Sequence, residues 1–403
     1  MRPAPPVGRC CARRSRAPEA LSDLPPRTEA GLAALAAALT PRVIEDTRRL
    51  VDISTPSGAL EEAERAIELC AALLEGWQLT RPACSTASCA PDLLATRAGS
   101  GRRRLLFLGH LDTVVGHGEH RPAEARGQRL YGSGTADMKG GVALALAVAG
   151  AMAERTEDYA ELAVLLVCDE EWRLAPFAHS ARFANYDACL CFEAGEVDEQ
   201  GRDGVIVRRK GAGTLRLRAH GRAAHSGSAP DQGRNALLAL AHAAIAGAAV
   251  ADADGSSRLT VVPTVVHAGE AINVVPSSGE LIFDLRADDT AAFGRVLEAM
   301  PAAVGGARLE PIMERVWPAM DSRAAAAPLL AAAAALLGRP LIPRSRGGAS
   351  DASHLAPLVA LTVDGLGPRG GGAHTPKEFL HLPSLPERLA VALAVARAAL
   401  APG

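Results

Sequence analysis

The sequence predicts an α/β fold: a mostly parallel central sheet flanked by helices, with a ferredoxin-like βαββαβ unit inserted in it. Strand-length apolar runs alternate with helical stretches through the first half of the chain. Near Val205 the rhythm becomes strand, helix, two strands, helix, strand. Alternation then resumes over 324–402. A chain of 403 residues is long for one core and favours two or three domains. The implied boundaries are a disordered N-terminal segment 1–26, an α/β domain made of 27–208 and 318–403, and an inserted domain 209–317.

In order, 29–80 reads as two covering helices separated by a Pro-Ser-Gly break at 56–58. Residues 104–111 form a buried strand, and 138–155 a long helix opened by Asp137 and a glycine pair. A strand at 162–168, a helix at 176–185 and a strand at 188–192 complete the first run. The inserted unit comprises strands 215–219, 259–267, 280–286 and 307–315, with helices 234–250 and 290–304. In sheets of this class, ligands collect at the carboxyl ends of the strands, and clefts between domains are the usual place for them.

Composition narrows the function. At 48% apolar and 22% charged the chain is of ordinary globular make-up, and a net charge of −2 gives no electrostatic case for nucleic acid or an anionic membrane. The first 26 residues lack the apolar stretch of a signal peptide, and no uninterrupted apolar run reaches the ~20 residues of a membrane span. The eight cysteines lack zinc-ribbon spacing and read as reduced thiols of a cytoplasmic protein; Cys189 and Cys191 share one strand face but are poorly placed to bridge.

Chemistry-bearing residues gather at the predicted strand ends. His110 and Asp112 close the strand in LLFLGHLD, a spacing that lets an acid orient an imidazole. Glu170 and Glu171 follow one strand in VCDEEW, and Glu193 follows another in LCFEAGE. Carboxylates at successive strand ends repel one another, and a divalent cation converts that repulsion into binding. Asp137, after the Gly-rich turn YGSGTAD, reads either as a helix N-cap or as a bridging carboxylate. His117 and His120 fall in the loop after the first strand and read as solvated or cleft-lining. No G-x-S-x-G elbow, G-x-G-x-x-G turn or P-loop is present.

The ordered set GHLDTV, YGSGTADMKGG, DEE, FEAGE, GRAAHSGSAPDQGRNAL, AINVVPSSGELIFDLRA, GGASDASHL and DGLGPRGGGAHTPKEF resembles the M20 family of zinc peptidases and deacylases from about residue 40 onward. That family includes glutamate carboxypeptidase, aminoacylase, acetylornithine deacetylase and succinyl-diaminopimelate desuccinylase. The resemblance implies two zinc ions per chain, with cobalt or manganese as possible substitutes. His110, Asp137 and Glu193 would hold one; Asp137, Glu171 and His374 would hold the other. Asp112 would orient His110, and Glu170 would be the general base. His225 would donate to the oxyanion in a partner subunit's site, which requires a homodimer. Asn273, Arg286 and Gly348 match positions that bind substrate. For Arg286 the competing reading is an ion pair with Asp284 or Asp288; Lys210 is a weaker candidate.

After DEE the family usually continues with Gly-Ser opening a helix, whereas this chain reads WRLAPF, which places Trp172 and Arg173 beside Glu171. The pocket wall should differ there. The expected activity is hydrolysis of an amide next to a free carboxylate in a small peptide or N-acyl amino acid, glutamate-carboxypeptidase-like by preference. The alternatives are an N-acyl-amino-acid deacylase and, from another class, a silent binding protein.

Overall fold

The structure, a computed structural model, describes residues 29–401, so the segment 1–26 with Cys10 and Cys11 lies outside the described residues. A six-stranded sheet runs in the order Gln78–Thr80, Leu93–Ala98, Glu161–Val167, Arg104–His110, Ala188–Cys191, Thr362–Val363. The last four are mutually parallel and the first two join antiparallel at one edge. Three of the parallel strands are apolar on both faces because helices Glu29–Val51, Lys139–Ala153 and Leu385–Leu400 cover one side and a second apolar cluster around Phe177, Phe183 and Leu355 covers the other. Gly141 allows the helix Lys139–Ala153 to lie close against the end of the Glu193 strand: a Cβ there would meet the Phe192 carbonyl oxygen at 1.9 Å.

A second, five-stranded antiparallel sheet occupies 211–317. Its element order is strand Gly211–His220, helix Ala236–Ala248, strands Thr260–Ala268 and Ser278–Ala287, helix Phe293–Ala299, strand Ala307–Trp317, with the short Ala303–Val304 beside the last. Its own core gathers Leu215, Leu240, Phe283, Leu285 and Val296 on the face covered by the two helices. Asn235 caps the first of these, its Oδ1 accepting from the Leu238 amide at 3.1 Å.

Several elements differ from the sequence reading. Gln78–Thr80 is an edge strand, not the end of a helix. Leu93–Ala98 is a strand that the sequence reading lacked. Residues 176–185 hold only the 3₁₀ turn Ser180–Phe183, since the segment is fixed by long-range polar contacts: His179 Nε2 lies 2.7 Å from Asp92 Oδ2, and Ser180 Oγ donates to the His354 carbonyl. The helix expected to reach 304 stops at Ala299, because Pro301 disfavours helical backbone at Met300, which is extended. The six described cysteines are free, and no helix among the described residues is long and apolar enough to cross a membrane.

Helix Leu385–Leu400 is fastened by Arg388, fully buried, which donates to Asp203 at 3.0 Å and to the carbonyls of Gly367, Gly204 and Gly365. Burial alone would raise the Asp203 carboxyl, but Arg388 and Arg339 outweigh it and hold it below the usual range. The stabilisation from this pair is therefore present at neutral pH and is lost as pH falls below about 4 through the depressed folded value. Asp203→Ala leaves a buried cation without its anion and is expected to cost about 3–5 kcal/mol in urea unfolding at pH 7. A midpoint equal to that of the parent would show that the pair adds nothing.

Candidate metal centre

His110 is the last residue of the central strand Arg104–His110 and is almost wholly buried. Its Nδ1 lies 3.0 Å from the Asp112 carbonyl oxygen, which can only accept, so Nδ1 carries a proton and Nε2 is the ring atom turned toward the acids. Nε2 faces Asp137 Oδ1 at 3.2 Å and Glu193 Oε1 at 3.7 Å. On the other side His374 Nε2 lies 3.2 Å from Asp137 Oδ2 and 3.1 Å from Glu171 Oε1. The two oxygens of Asp137 thus face two different histidines. In each trio, His110–Asp137–Glu193 and Asp137–Glu171–His374, the donor atoms lie within 4.8 Å of one another.

Asp137 does not cap the helix it precedes; the N-cap position is Met138 and no side chain caps it. Its carboxylate is left free to face the histidines. The loop that presents it is braced by Glu378, a residue that the sequence reading passed over. The buried Glu378 carboxylate accepts from the amides of Gly134 at 2.7 Å, Ala136 at 2.8 Å and Asp137 at 2.9 Å. Glu378 lies four residues after His374, so one segment supplies both a histidine and the brace. The only cue in the sequence was an acid in the His374 loop.

Asp112 plays a wider part than expected. Its carboxylate is 3.4 Å from His110 Nδ1, farther than its own carbonyl. It accepts chiefly from Ser57 Oγ at 2.6 Å and from the amides of Glu170 at 3.0 Å and Glu171 at 3.1 Å. Asp112 therefore fixes the 3₁₀ turn that presents both glutamates.

The charges act on one another as close packing requires. Burial, together with repulsion from Asp137, pushes Glu193 up to about 8 against the pull of His110. Burial also pushes Glu170 well above the usual carboxylate range, with His110 opposing and Glu193, Glu171 and Asp137 reinforcing. Hydrogen bonds to Asp137 and Glu171 raise His374 to about 10, while burial opposes them. For His110, burial would lower the value, but Asp112 and Asp137 prevail and hold it well above the ordinary one. Mixed imidazole and carboxylate donors at this spacing, in a surplus of negative charge, fit divalent cations of the zinc, cobalt or manganese kind.

Among the described residues, none of the other expected ones shares a hydrogen bond or ion pair with this group. His225 and Asn273 sit in adjoining loops of the second sheet, where the Ser226 amide donates to the Asn273 carbonyl at 3.0 Å. His225 is exposed, and its Nδ1 accepts from the amides of Gly227 and Ser228, both at 3.1 Å, leaving Nε2 as a donor to solvent. Arg286 binds Asp284 through Nε and Nη2, both at 2.9 Å, which is the ion-pair alternative that the sequence left open. Gly348 is uncrowded, with Arg209 Nη1 donating to its carbonyl at 2.8 Å. Lys210 Nζ donates to the Arg258 carbonyl. His117 bonds Ser54 Oγ at 2.9 Å, and both ring nitrogens of His120 are buried without a partner, which goes against the solvated reading of His120 and leaves the cleft-lining one standing.

The departure after DEE is also visible. The Trp172 ring lies over Gly58, where a Cβ would meet it at 2.6 Å. Arg173 turns inward, wholly buried, paired with Asp169 at 2.8 Å and with Asp351, its guanidinium 4.8 Å from the Phe177 ring centroid and 4.7 Å from that of Trp317.

The sequence pattern of peptidase family M20/M25/M40 matches residues 106–398. Carboxypeptidase G2 of Pseudomonas sp. (strain RS-16) is 28% identical over 371 residues, spanning 87% of this chain and 88% of its own length. A succinyl-diaminopimelate desuccinylase of Halorhodospira halophila is 30% identical over 342 residues, 77% of this chain and 86% of its own. Among solved structures, aminopeptidase PepT from Bacillus cereus superposes with a TM-score of 0.70 at 19% identity over 89% of this chain and 98% of its own. An M20 family metallo-carboxypeptidase from Sulfolobus solfataricus gives 0.69 at 16% identity over 89% and 99%. These last two show a shared fold. With most of its length matched by the family pattern, the chain belongs to peptidase family M20/M25/M40 and is a hydrolase of its metallopeptidase and deacylase group.

Proposed function

We infer that this protein is a cytoplasmic dizinc hydrolase cleaving an amide next to a free carboxylate, with glutamate-releasing carboxypeptidase action as the first reading. The observation that carries it is Asp137 between two histidines, each of its oxygens facing one of them at 3.2 Å, with Glu193 and Glu171 on either side. His110, Asp137 and Glu193 would hold one cation, and Asp137, Glu171 and His374 the other. When bound, such cations supply Lewis acidity toward a scissile carbonyl and toward the attacking water. Glu170, adjacent to Glu171 yet outside both trios, takes the proton of that water on its carboxylate and passes it to the leaving amine. The likeness to carboxypeptidase G2 over 87% of the chain supports the choice of bond. The likeness to desuccinylases favours N-acyl-amino-acid deacylation as the second reading.

The unit over 209–317 serves as the dimerisation and lid domain in this reading. Strand Thr260–Ala268 is an open sheet edge exposing Val262, Val265 and Val266, and helix Ala236–Ala248 exposes Leu238 and Ile245. Such an apolar edge is covered by a second copy of the chain in a homodimer. His225 Nε2 then reaches the partner's site as the oxyanion donor.

Four measurements test this. Metal analysis of protein purified without chelator is expected to find about two zinc ions per chain; a value near zero overturns the enzyme reading in favour of a silent binding protein. Glu170→Gln should keep the metal and lose about 10²–10⁴-fold in kcat on a panel of N-acyl and C-terminal amino-acid substrates. Unchanged turnover removes Glu170 as the base. Glu378→Ala should weaken zinc binding by about 10–100-fold in calorimetric titration, as loss of a supporting residue does at metal sites, and speed hydrogen exchange at the amides of 134–137. Light scattering should give twice the 41.6 kDa chain mass, and a fully active monomer would contradict the role of His225.

A further inference from the structure

Residues 53–58 connect helix Glu29–Val51 to helix Leu60–Leu73, and they run beside the segment that follows His110. Lys139, wholly buried two residues after Asp137, donates from Nζ to the Ile53 carbonyl at 2.6 Å. Thr55 Oγ1 donates to the Leu111 carbonyl at 2.6 Å, and the Thr55 carbonyl accepts from the Thr113 amide at 2.9 Å. The Ser57 amide donates to the Thr113 carbonyl at 3.2 Å, and Ser57 Oγ donates to Asp112 Oδ2 at 2.6 Å. The connection is therefore a strap laid along 111–113.

The strap meets the turn Glu170–Trp172 twice. Trp172 ends that turn, and its ring comes so close to Gly58, at φ +87°, that a Cβ there would meet it at 2.6 Å. The second meeting is through Asp112, whose two oxygens are used unequally. Oδ2 accepts from Ser57 Oγ at 2.6 Å and from the Glu171 amide at 3.1 Å. Oδ1 accepts from the Glu170 amide at 3.0 Å and stands 3.4 Å from His110 Nδ1. Asp112 is buried, so these donors stand in for the water that an exposed carboxylate would have. The Ser57 bond is the shortest of them. Without it Oδ2 keeps a single amide, and the imidazole of His110, a charge-assisted partner when protonated, competes for the carboxylate.

We propose that Ser57 is a positioning residue for the general base: its hydroxyl keeps the Asp112 carboxylate turned to the amides of Glu170 and Glu171 instead of to His110. The role in catalysis deepens the hydrolase reading above and rests on it. Ser57 touches neither metal trio, and acts on Glu170 through one intermediate side chain. Trp172, which this chain carries directly after DEE, covers Gly58 and holds the strap from its other side. The WRLAPF departure thereby takes part in placing the base, because the residue that follows the zinc-facing Glu171 secures the segment that supplies the serine.

The test uses zinc-loaded full-length protein with the panel of N-acyl and C-terminal amino-acid substrates, and hydrogen exchange at single amides as a second readout. Ser57→Ala should lower kcat about 10–100-fold, as loss of a supporting hydrogen bond does at metal sites, with KM little changed. It should also speed exchange at the amides of Glu170 and Glu171, while the amides of 134–137, held by Glu378, keep their protection. Ser57→Thr, which keeps the hydroxyl, should restore both. A raised KM with unchanged kcat in Ser57→Ala would make Ser57 a substrate contact and overturn the proposal. Unchanged turnover and exchange would show that Asp112 holds the turn unaided, which overturns it equally. Should the parent hydrolyse no member of the panel, the hydrolase reading fails by itself, and exchange at 170 and 171 still decides whether Ser57 positions the turn.

Discussion

The structure around the metal centre turns on keeping four carboxylates, Asp137, Glu170, Glu171 and Glu193, together with the buried imidazole of His110 and the exposed one of His374. Left to themselves, these acids repel one another and take up protons, as the raised values of Glu193 and Glu170 express. The fold holds them by their backbones. Glu170 and Glu171 are tied through their amides to Asp112, and Asp137 through its amide to Glu378. Three of the four are gripped at their amides by another acid, while Glu193 is held through its carbonyl, which accepts from the Gly367 amide at 2.9 Å. That division leaves the inward carboxylates available and keeps their repulsion from opening the loops.

Much of this was legible in the sequence, for a definite reason. His110, Glu171 and Glu193 follow apolar runs that could only be buried strands, so their placement at strand ends was fixed by the chain itself. Asp137 and His374 needed the family resemblance, because a Gly-rich loop gives no periodicity from which to aim a side chain. Glu378 was not legible: its burial is dictated by three amides some 240 residues earlier in the chain, and in TPKEF it looks like any surface acid. Arg286 shows the reverse. Strand alternation alone places it on the same face as Asp284, and that local pairing is what the structure contains.

The errors in element assignment share a cause. Residues 176–185 carry helix-compatible residues but are held by His179 to Asp92 and Ser180 to the 354 carbonyl, contacts with partners remote in sequence. Tertiary polar bonds overrode a weak local preference. Arg173 belongs to the same pattern. A charged residue in WRLAPF reads as exposed, yet two acids and two aromatic rings enclose it completely.

The placement of His374 and Glu378 on one late segment has a consequence for how the protein comes into being. Any nascent chain that has not yet passed residue 378 can already contain the central strands, Glu170 and Glu193. It has neither the second histidine nor the brace that shapes the 134–137 loop. The constellation assembles only when the last tenth of the polypeptide folds back onto the beginning. A chain ending before that point would have one histidine facing Asp137 instead of two and a 134–137 loop without the carboxylate that accepts its amides.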